Sequence, residues 1–407
     1  MHFQLAWRNI WRNPRRTAVI LLAVIIGVWS MIFLGALMRG IMTGMIDNGI
    51  ATLTGHIKIY ATGYRDDPVI ENSITDPQSI FSVLQELLPP GSRWTSRVRV
   101  NAVANNARHA SGVMIVGIEP GQEIGLSFIG KAVTDGRYLD QTDANGIIVG
   151  RALLEKFETR IGHKLVLMSQ DTQRDIASKA FRIIGTFTSE MESTEKQFVF
   201  VTQTAAQQFL KMGNAISEVS IVLPVEADEA QVSDSLKKAL SGKGFDVLTW
   251  QELLPILTIY LKLYDGFIFV WFVVIFIAMG FGIVNTTLMA VFERIREFGL
   301  LKAMGMKPGH IVKQILLESA LMLIVGVLSG NVLAYSSIAG LSQNGIDLTA
   351  LAAGAEFAGM SRVIFPVLYG QDVVLANLVV FVLGVLVCLY PAVKAARITA
   401  VEALGHT

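Results

Sequence analysis

Four runs of this 407-residue chain contain no Asp, Glu, Lys or Arg and are long enough to cross a bilayer, which takes roughly 20 apolar residues. They are Thr17–Met38, Gly266–Phe292, Ala320–Leu341 and Val373–Val393. Backbone groups in hydrocarbon must be paired internally, so each run is expected to be a helix. Charged residues make up 16% of the chain and hydrophobic ones 52%, whereas a soluble domain carries about 25% charged residues. Mean hydropathy is +0.51. The first run, 22 residues long, exceeds the apolar core of a cleavable signal and lacks a clean small-x-small site after it. It reads as an uncleaved anchor.

Basic residues set the orientation. Arg8, Arg12, Arg15 and Arg16 precede the first run. Arg294, Arg296, Lys302, Lys307 and Lys313 lie between the second and third, and Lys394 and Arg397 follow the fourth. The loop 342–372 has Arg362 against Asp347, Glu356 and Asp372. Eleven basic residues against one put both termini on the cytoplasmic side. Residues 39–265 then form one large extracytoplasmic domain, with Arg39 and Lys262 as minor exceptions to the charge rule.

That domain alternates short β-like runs with amphipathic helices. Strands are expected at His56–Tyr60, Arg97–His109, Gly112–Ile118, Gly146–Gly150, His163–Ser169, Phe181–Thr188, Gln197–Thr202, Glu218–Leu223 and Phe245–Trp250. Helices are expected at Pro77–Leu88, Arg151–Phe157, Thr204–Met212 and Asp228–Leu240, with Asp76 as N-cap before Pro77. The fold class is an α-helical membrane protein with four transmembrane helices and a large α+β domain inserted between helices 1 and 2. Arg39–Leu53 and Gln251–Asp265 are apolar at helical spacing. They either extend the first two helices as a stalk or lie flat in the interface.

Catalytic and cofactor chemistry finds no footing. The sequence has no G-x-x-x-x-G-K-[ST] loop. Ser235-Leu236-Lys237-Lys238 matches S-x-x-K on a solvated helix, where chance explains it. The acidic residues Asp66, Asp67, Glu226, Asp228 and Glu229 read as solvated loop. The six histidines are scattered, no metal-ligand spacing occurs, and Cys388 has no intrachain partner. A net charge of +1 gives no pull toward nucleic acid. Inside the spans, Asn285, Thr286, Thr287, Ser329, Asn331, Ser336 and Ser337 are explained by interhelical hydrogen bonds rather than an ion path. Gly40-x-x-x-Gly44 and Gly326-x-x-x-Gly330 mark close helix approach, either between subunits or within the chain.

The turn Glu293-Arg294-Ile295-Arg296-Glu297-Phe298-Gly299-Leu300-Leu301-Lys302-Ala303-Met304-Gly305 stands apart. Its arginines could serve topology alone. Yet acids bracket them, Phe298, Leu300 and Leu301 give an apolar side, and Gly305 and Pro308 end the helix sharply. A short amphipathic helix of this kind suits a groove on a partner.

This segment resembles the E-R-x-x-E-[IF]-G-x-x-[RK]-A-x-G signature of the FtsX/MacB/Lol-type ABC transporter permeases. Leu5 to Thr17 is similar to the amphipathic helix that leads into the family's first span. Pro391 to Arg397 and Val401 to Leu404 are similar to its C-terminal motif, with Ala400 where proline is usual. The resemblance implies a MacB-like periplasmic core domain and this partition: 1–16 leading helix, 17–38 helix 1, 39–265 periplasmic domain with stalk ends, 266–292 helix 2, 293–314 coupling segment, 315–341 helix 3, 342–372 periplasmic loop, 373–393 helix 4, 394–407 tail. It implies a bacterial inner-membrane location. It also implies a separate dimeric ABC ATPase that holds ATP and Mg, so that this chain carries no cofactor and catalyses nothing. The ATPase would grip Glu293, Arg294, Arg296, Glu297, Phe298, Leu301, Lys302 and Gly305. A second permease copy or paralogue is a further partner.

Within the family the outer domain looks most like the lipoprotein-releasing (Lol-type) branch. Gly112 to Pro120, Gly146 to Gly150, Gly162 to Met168 and Phe181 to Phe187 carry the likeness. Ser169–Ala180, with Ser169, Gln170, Asp171, Arg174 and Lys179, corresponds to a hook that recruits a periplasmic chaperone, although it is shorter and lacks prolines. Such a permease would release lipoproteins from the inner membrane, with their acyl chains between the first two helices of partner permeases, against Met31, Phe33, Leu34, Phe267, Val270, Trp271 and Val274. Rival readings are a tripartite efflux or export permease with an adaptor protein, and an FtsX-like regulator of a periplasmic enzyme.

Overall fold

The computed structural model describes residues 12–189, 191–347 and 363–399. The chain divides into two units, one of Met1–Thr43, Tyr260–Ala350 and Val363–Thr407, the other of Gly44–Ile259 with Leu351–Arg362.

The charge-free runs become four long helices: α1 Pro14–Gly49, α10 Pro255–Glu293, α12 Pro308–Asn344 and α13 Gly370–Arg397. Their 36, 39, 37 and 28 residues exceed the apolar runs themselves. Residues 39–49 and 255–265 simply continue α1 and α10. Between α10 and α12 lies α11, Ile295–Ala303. A two-stranded ribbon, β11 Ile346–Asp347 with β12 Val363–Ile364, follows α12. The leading segment up to residue 11, residues 348–362 of the loop 342–372 and the motif from residue 400 lie outside the described residues.

The bundle core is a contiguous set that includes Val24, Val28, Met31, Met279, Leu323, Ala376 and Val380. The glycine motifs serve packing inside the chain. A Cβ on Gly326 would sit 2.6 Å from Val24, and one on Gly330 would sit 2.8 Å from Val28 and 3.0 Å from the Ile25 carbonyl. A Cβ on Gly40 would strike the Phe365 carbonyl oxygen. Polar groups pair across helices as their cost in lipid demands. Asn331 and Asn377 exchange amide bonds of 2.8 and 3.0 Å, and Trp29 Nε1 donates to Ser337 Oγ at 3.1 Å.

The second unit is built on a mixed sheet of ten strands. They are β1 Ile57–Ala61, β2 Arg93–Asn105, β3 Ala110–Ile118, β4 Val133–Gly136, β5 Gly146–Gly150, β6 Lys164–Gln170, β7 Ile176–Phe187, β8 Phe198–Thr202, β9 Glu218–Val222 and β10 Phe245–Thr249. The order runs β10-β1-β9-β2-β3-β8-β5-β7-β4, with β6 joining β2 and β7. Only β3–β8 and β5–β7 are parallel among the described pairs. The helices are α2 Gln78–Leu87, α3 Pro120–Glu123, α4 Ile129–Ala132, α5 Arg151–Lys156, α6 Glu192–Gln197, α7 Gln203–Leu210, α8 Glu229–Leu240 and α9 Trp250–Leu253.

The sequence reading differs at identifiable points. The run Arg97–His109 starts earlier and stops at Asn105, because Asn106 Oδ1 accepts from the Arg108 and His109 amides and turns the chain into β3. Strand β7 begins at Ile176 rather than Phe181. Strand β4 and helix α6 were not expected; each is short and lacks a periodic apolar pattern. Pro77 itself is the N-cap of α2, and no Asp76 side-chain bond caps it. Asp76 instead gives its carbonyl to Ser79 Oγ at 2.8 Å.

Beneath β2 lies a buried charge cluster. Arg97 has no solvent exposure. Its Nη2 and Nε donate to Glu123 at 2.7 and 3.1 Å, and its Nη1 donates to the Leu53 carbonyl at 2.6 Å and to Glu218 at 3.4 Å. Lys58 donates to both Glu218 oxygens at 2.8 Å. Burial alone would push the Glu218 carboxyl up, but Lys58, Arg99 and Arg97 together hold it down at about 2. Replacing one member of such a cluster strands the others. We expect Arg97→Met to cost about 3–5 kcal/mol in thermal unfolding of the purified protein. Arg108→Met, whose partner Glu158 is 3.4 Å away and whose side chain is 78% exposed, should cost about 0–1 kcal/mol. Equal losses in the two variants would refute the structural weight given to Arg97.

Candidate functional site

The segment between α10 and α12 is locked from inside. Helix α10 ends at Glu293, and Arg294 breaks it with φ −109° and ψ 16°. The buried Arg294 guanidinium bonds Glu318 of α12 at 3.0 and 3.2 Å and Glu297 at 3.1 Å, and lies 5.2 Å over the Phe298 ring. Ile295 and Phe298 are buried, and Phe298 joins Val291, Ile311, Ile315, Ala392 and Ala395 in one cluster, with Leu301 packed on it. Lys302 Nζ donates to the Ala396 and Ile398 carbonyls at 2.5 Å each. These carbonyls end α13, where a helix leaves acceptors unsatisfied and favours a cation. Gly305 takes φ +94°, which lets the chain turn toward Pro308 at the start of α12.

The residues at the start of α1 reach the same segment. Arg12 Nη2 donates to Glu297 at 2.6 Å, while Arg16 Nη1 and Asn13 Nδ2 donate to Glu293 at 3.1 and 3.0 Å. Partial burial pushes the Glu297 carboxyl up, and the bonds from Arg12 and Arg294 more than offset it, leaving it below the ordinary range. Of the eight residues expected to meet a partner, Glu293, Arg294, Glu297, Phe298 and Lys302 therefore bond or pack within the chain. Leu301 is half-buried, Gly305 shapes the turn, and Arg296 is exposed. The outward face of α11 is Arg296, Leu300, Ala303 and Met304, with Leu300 55% and Met304 68% exposed. These positions are three to four apart, so they form one stripe.

A cavity of about 670 Å³ opens among α1, α10 and α13. Ile268, Phe272 and Phe276 of α10 and Leu375 and Val379 of α13 give it apolar walls, and Gly35 and Arg39 line it from α1. Arg39 and Asp372 form a two-point ion pair at 2.8 and 3.2 Å beside it, with the guanidinium 4.9 Å over Tyr264 and 5.2 Å over Tyr369. None of the seven residues named for acyl-chain contact lines this cavity. Met31 is fully buried in the bundle core, Phe33 stacks on Trp29 at 5.5 Å, and Leu34 is half-buried. Phe267, Val270, Trp271 and Val274 are 52–63% exposed. The cavity wall of α10 is offset from them by one position, about 100° around the helix. The sequence reading weighs Arg39 and Asp372 only as topology charges and gives Glu318 no role. The signal was there, in charges set within or beside long apolar runs.

The hook-like segment is a tight hairpin. β6 and β7 pair up to Gln170↔Ile176, so Ser169 and Lys179 are strand residues and the turn is 171–175. Asp171 Oδ1 accepts the Gln173 and Asp175 amides at 2.8 and 3.0 Å. Asp171 also pairs with Lys211 at 2.6 Å, and Arg174, at φ +66°, pairs with Glu71 at 3.2 Å.

Because the Arg12–Glu297 pair is exposed, each single reversal, Arg12→Glu or Glu297→Arg, should lower the thermal midpoint slightly. The double swap should recover about 0.2–1 kcal/mol of coupling. A double-mutant cycle with zero coupling would dissolve the link between the two segments.

A family model described as the MacB-like periplasmic core domain matches residues 17–239, and one described as FtsX-like permease C-terminal matches 268–400. Over 231 residues the chain is 27% identical to the ABC transporter permease YtrF of Bacillus subtilis (strain 168), covering 55% of this chain and 52% of that protein. It is 22% identical over 358 residues to the macrolide export ATP-binding/permease protein MacB of Mannheimia succiniciproducens, covering 81% and 51%. It is 24% identical over 325 residues to the lipoprotein-releasing system transmembrane protein LolC of Xylella fastidiosa, covering 76% of each. The chain spans about half the length of the first two relatives. With one model covering the first span and the α+β unit and the other the remaining helices, this chain belongs to the family of MacB-like, FtsX-like ABC transporter permeases.

Proposed function

We propose that this chain is the permease subunit of an ABC complex that lifts lipoproteins out of the outer leaflet of a bacterial inner membrane. A separate ATPase dimer would bind ATP and Mg and dock on α11. Both termini would face the cytoplasm and the α+β unit the periplasm, following the basic residues that flank the spans. The observation that carries the cargo reading is the apolar cavity of about 670 Å³ among α1, α10 and α13. A cavity of this volume with apolar walls suits alkyl chains, each buried CH₂ contributing about 0.8 kcal/mol. Arg39, Asp372, Tyr264 and Tyr369 beside it suit the polar end of an amphiphile. The resemblance to a lipoprotein-releasing protein across 76% of both chains supports the same cargo.

Export of a soluble molecule with an adaptor is the second reading. Its support is the relative named for macrolide export, which aligns with 81% of this chain.

Docking would use the outward stripe of α11, since the motif's charges are committed within the chain. Leu300→Asp together with Met304→Asp should abolish co-purification of an ATPase while leaving the thermal midpoint within about 0.5 kcal/mol of wild type. Retention of the ATPase by that variant would refute the docking face. For the cargo, purification from native membranes followed by mass spectrometry should find triacylated lipoprotein, and Phe272→Asp should lose it while keeping the ATPase. An adaptor in place of lipoprotein would move the reading to export.

A further inference from the structure

The α+β unit holds a cavity of about 220 Å³ that permease action does not require, room for about seven waters. Tyr60 and Tyr64, stacked at 5.6 Å and 13°, line it together with Arg99, Asn101, Met114 and Glu218. Arg99 and Glu218 of its wall belong to a cluster in which Lys58, Arg97 and Arg99 face Glu123 and Glu218, three cations against two carboxylates. Arg97 commits its donors to Glu123, Glu218 and Leu53, and Lys58 spans both Glu218 oxygens.

Arg99 is the least committed of the three cations. Its Nη1 stands 3.7 Å from Glu218, its Nε reaches the Met114 sulfur at 2.6 Å, and its guanidinium carbon is 5.7 Å from the Phe198 ring centre. A thioether is a weak acceptor, and a guanidinium offers five donors in a fork that matches a carboxylate. Arg65, on the same cavity, gives its Nη2 to the Glu252 carbonyl at 3.0 Å and adds another positive charge.

We propose that this cavity binds a small carboxylate, its carboxyl group on Arg99 and its apolar body against Tyr60, Tyr64 and Met114. The anion would complete the charge balance that the protein leaves open. The state of Lys58 agrees with an unmet positive excess. Burial pushes its ammonium down, and Arg99 and Arg97 outweigh enough of the Glu218 attraction to bring it to about 7. The groups that face it are Glu218 from β9, Arg97 and Arg99 from β2, and the Tyr60 ring at 5.6 Å. An anion at Arg99 favours the charged form of Lys58, so binding above pH about 7 draws in a proton and weakens as pH rises.

The test is calorimetric titration of the full-length protein in neutral-lipid nanodiscs, with benzoate as probe and benzamide as its uncharged match. Benzoate should bind with a Kd of about 1 mM or tighter, benzamide at least tenfold more weakly, and benzoate binding at pH 8 should take up protons in a two-buffer comparison. Arg99→Gln should lose binding. Met114→Glu, which supplies an internal carboxylate to Arg99, should fold with an unchanged or raised thermal midpoint and also fail to bind. No benzoate binding by the wild type, equal binding of benzamide, or undiminished binding by folded Arg99→Gln or Met114→Glu would each overturn the proposal.

Discussion

The α+β unit depends on a guanidinium that has no access to water. Arg97 has left solvent entirely, and a buried charge is tolerable only when paired and hydrogen-bonded. It meets that condition by joining three pieces of chain: Glu123 after β3, Glu218 on β9, and the Leu53 carbonyl in the turn Ile50–Thr54 that follows α1. That turn contains Leu53 at φ +66°, an uncommon conformation for a side chain of this size. The Arg97–Leu53 bond, the burial of Leu53 and the Phe128 amide bond to Ala51 at 3.2 Å hold it there. The path of the chain from the end of α1 into β1 is thus set by a charge on β2.

The same logic governs the segment between α10 and α12. A helix break costs backbone hydrogen bonds, and the protein compensates with Arg294, whose side chain closes on Glu318. The family signature is then legible as mechanics rather than as a contact surface. Glutamates bind the arginines at the start of α1, the arginine binds α12, and the lysine caps α13. What remains for a partner is the side of the helix that the signature leaves variable, Leu300 and Met304.

Much of this was readable from residues alone, and the boundary has a physical cause. The four spans follow from hydropathy because bilayer thickness is a one-dimensional constraint. Most strands follow from short β-branched runs such as Gly146–Gly150 and Phe198–Thr202. Strand β4 and helix α6 escaped because tertiary pairing, not local propensity, makes them. The roles of Glu297 and Lys302 escaped for a related reason. Their partners are 285 and 94 residues away in sequence, and a charged residue at a membrane face looks the same whether it meets its own chain or another. The face of α10 that lines the cavity was not legible, because an all-apolar helix carries no periodic signal to fix its rotation.

The joints of α11 are unequal, and the inequality has a direction. The pairs with Arg12 and Arg16 are exposed, where a salt bridge contributes about 0–1 kcal/mol. The Arg294–Glu318 pair is buried, and breaking such a pair costs about 3–5 kcal/mol. Phe298 adds a closed apolar contact with α12 and α13, and Lys302 adds two short bonds at the end of α13. Helix α11 is thus held most firmly to α12 and the end of α13 and least firmly to Arg12 at the start of α1. Relative motion of α1 against α13 changes the volume between them, and the apolar cavity is lined by both. The Arg39–Asp372 bonds at 2.8 and 3.2 Å tie the same two helices together beside that space.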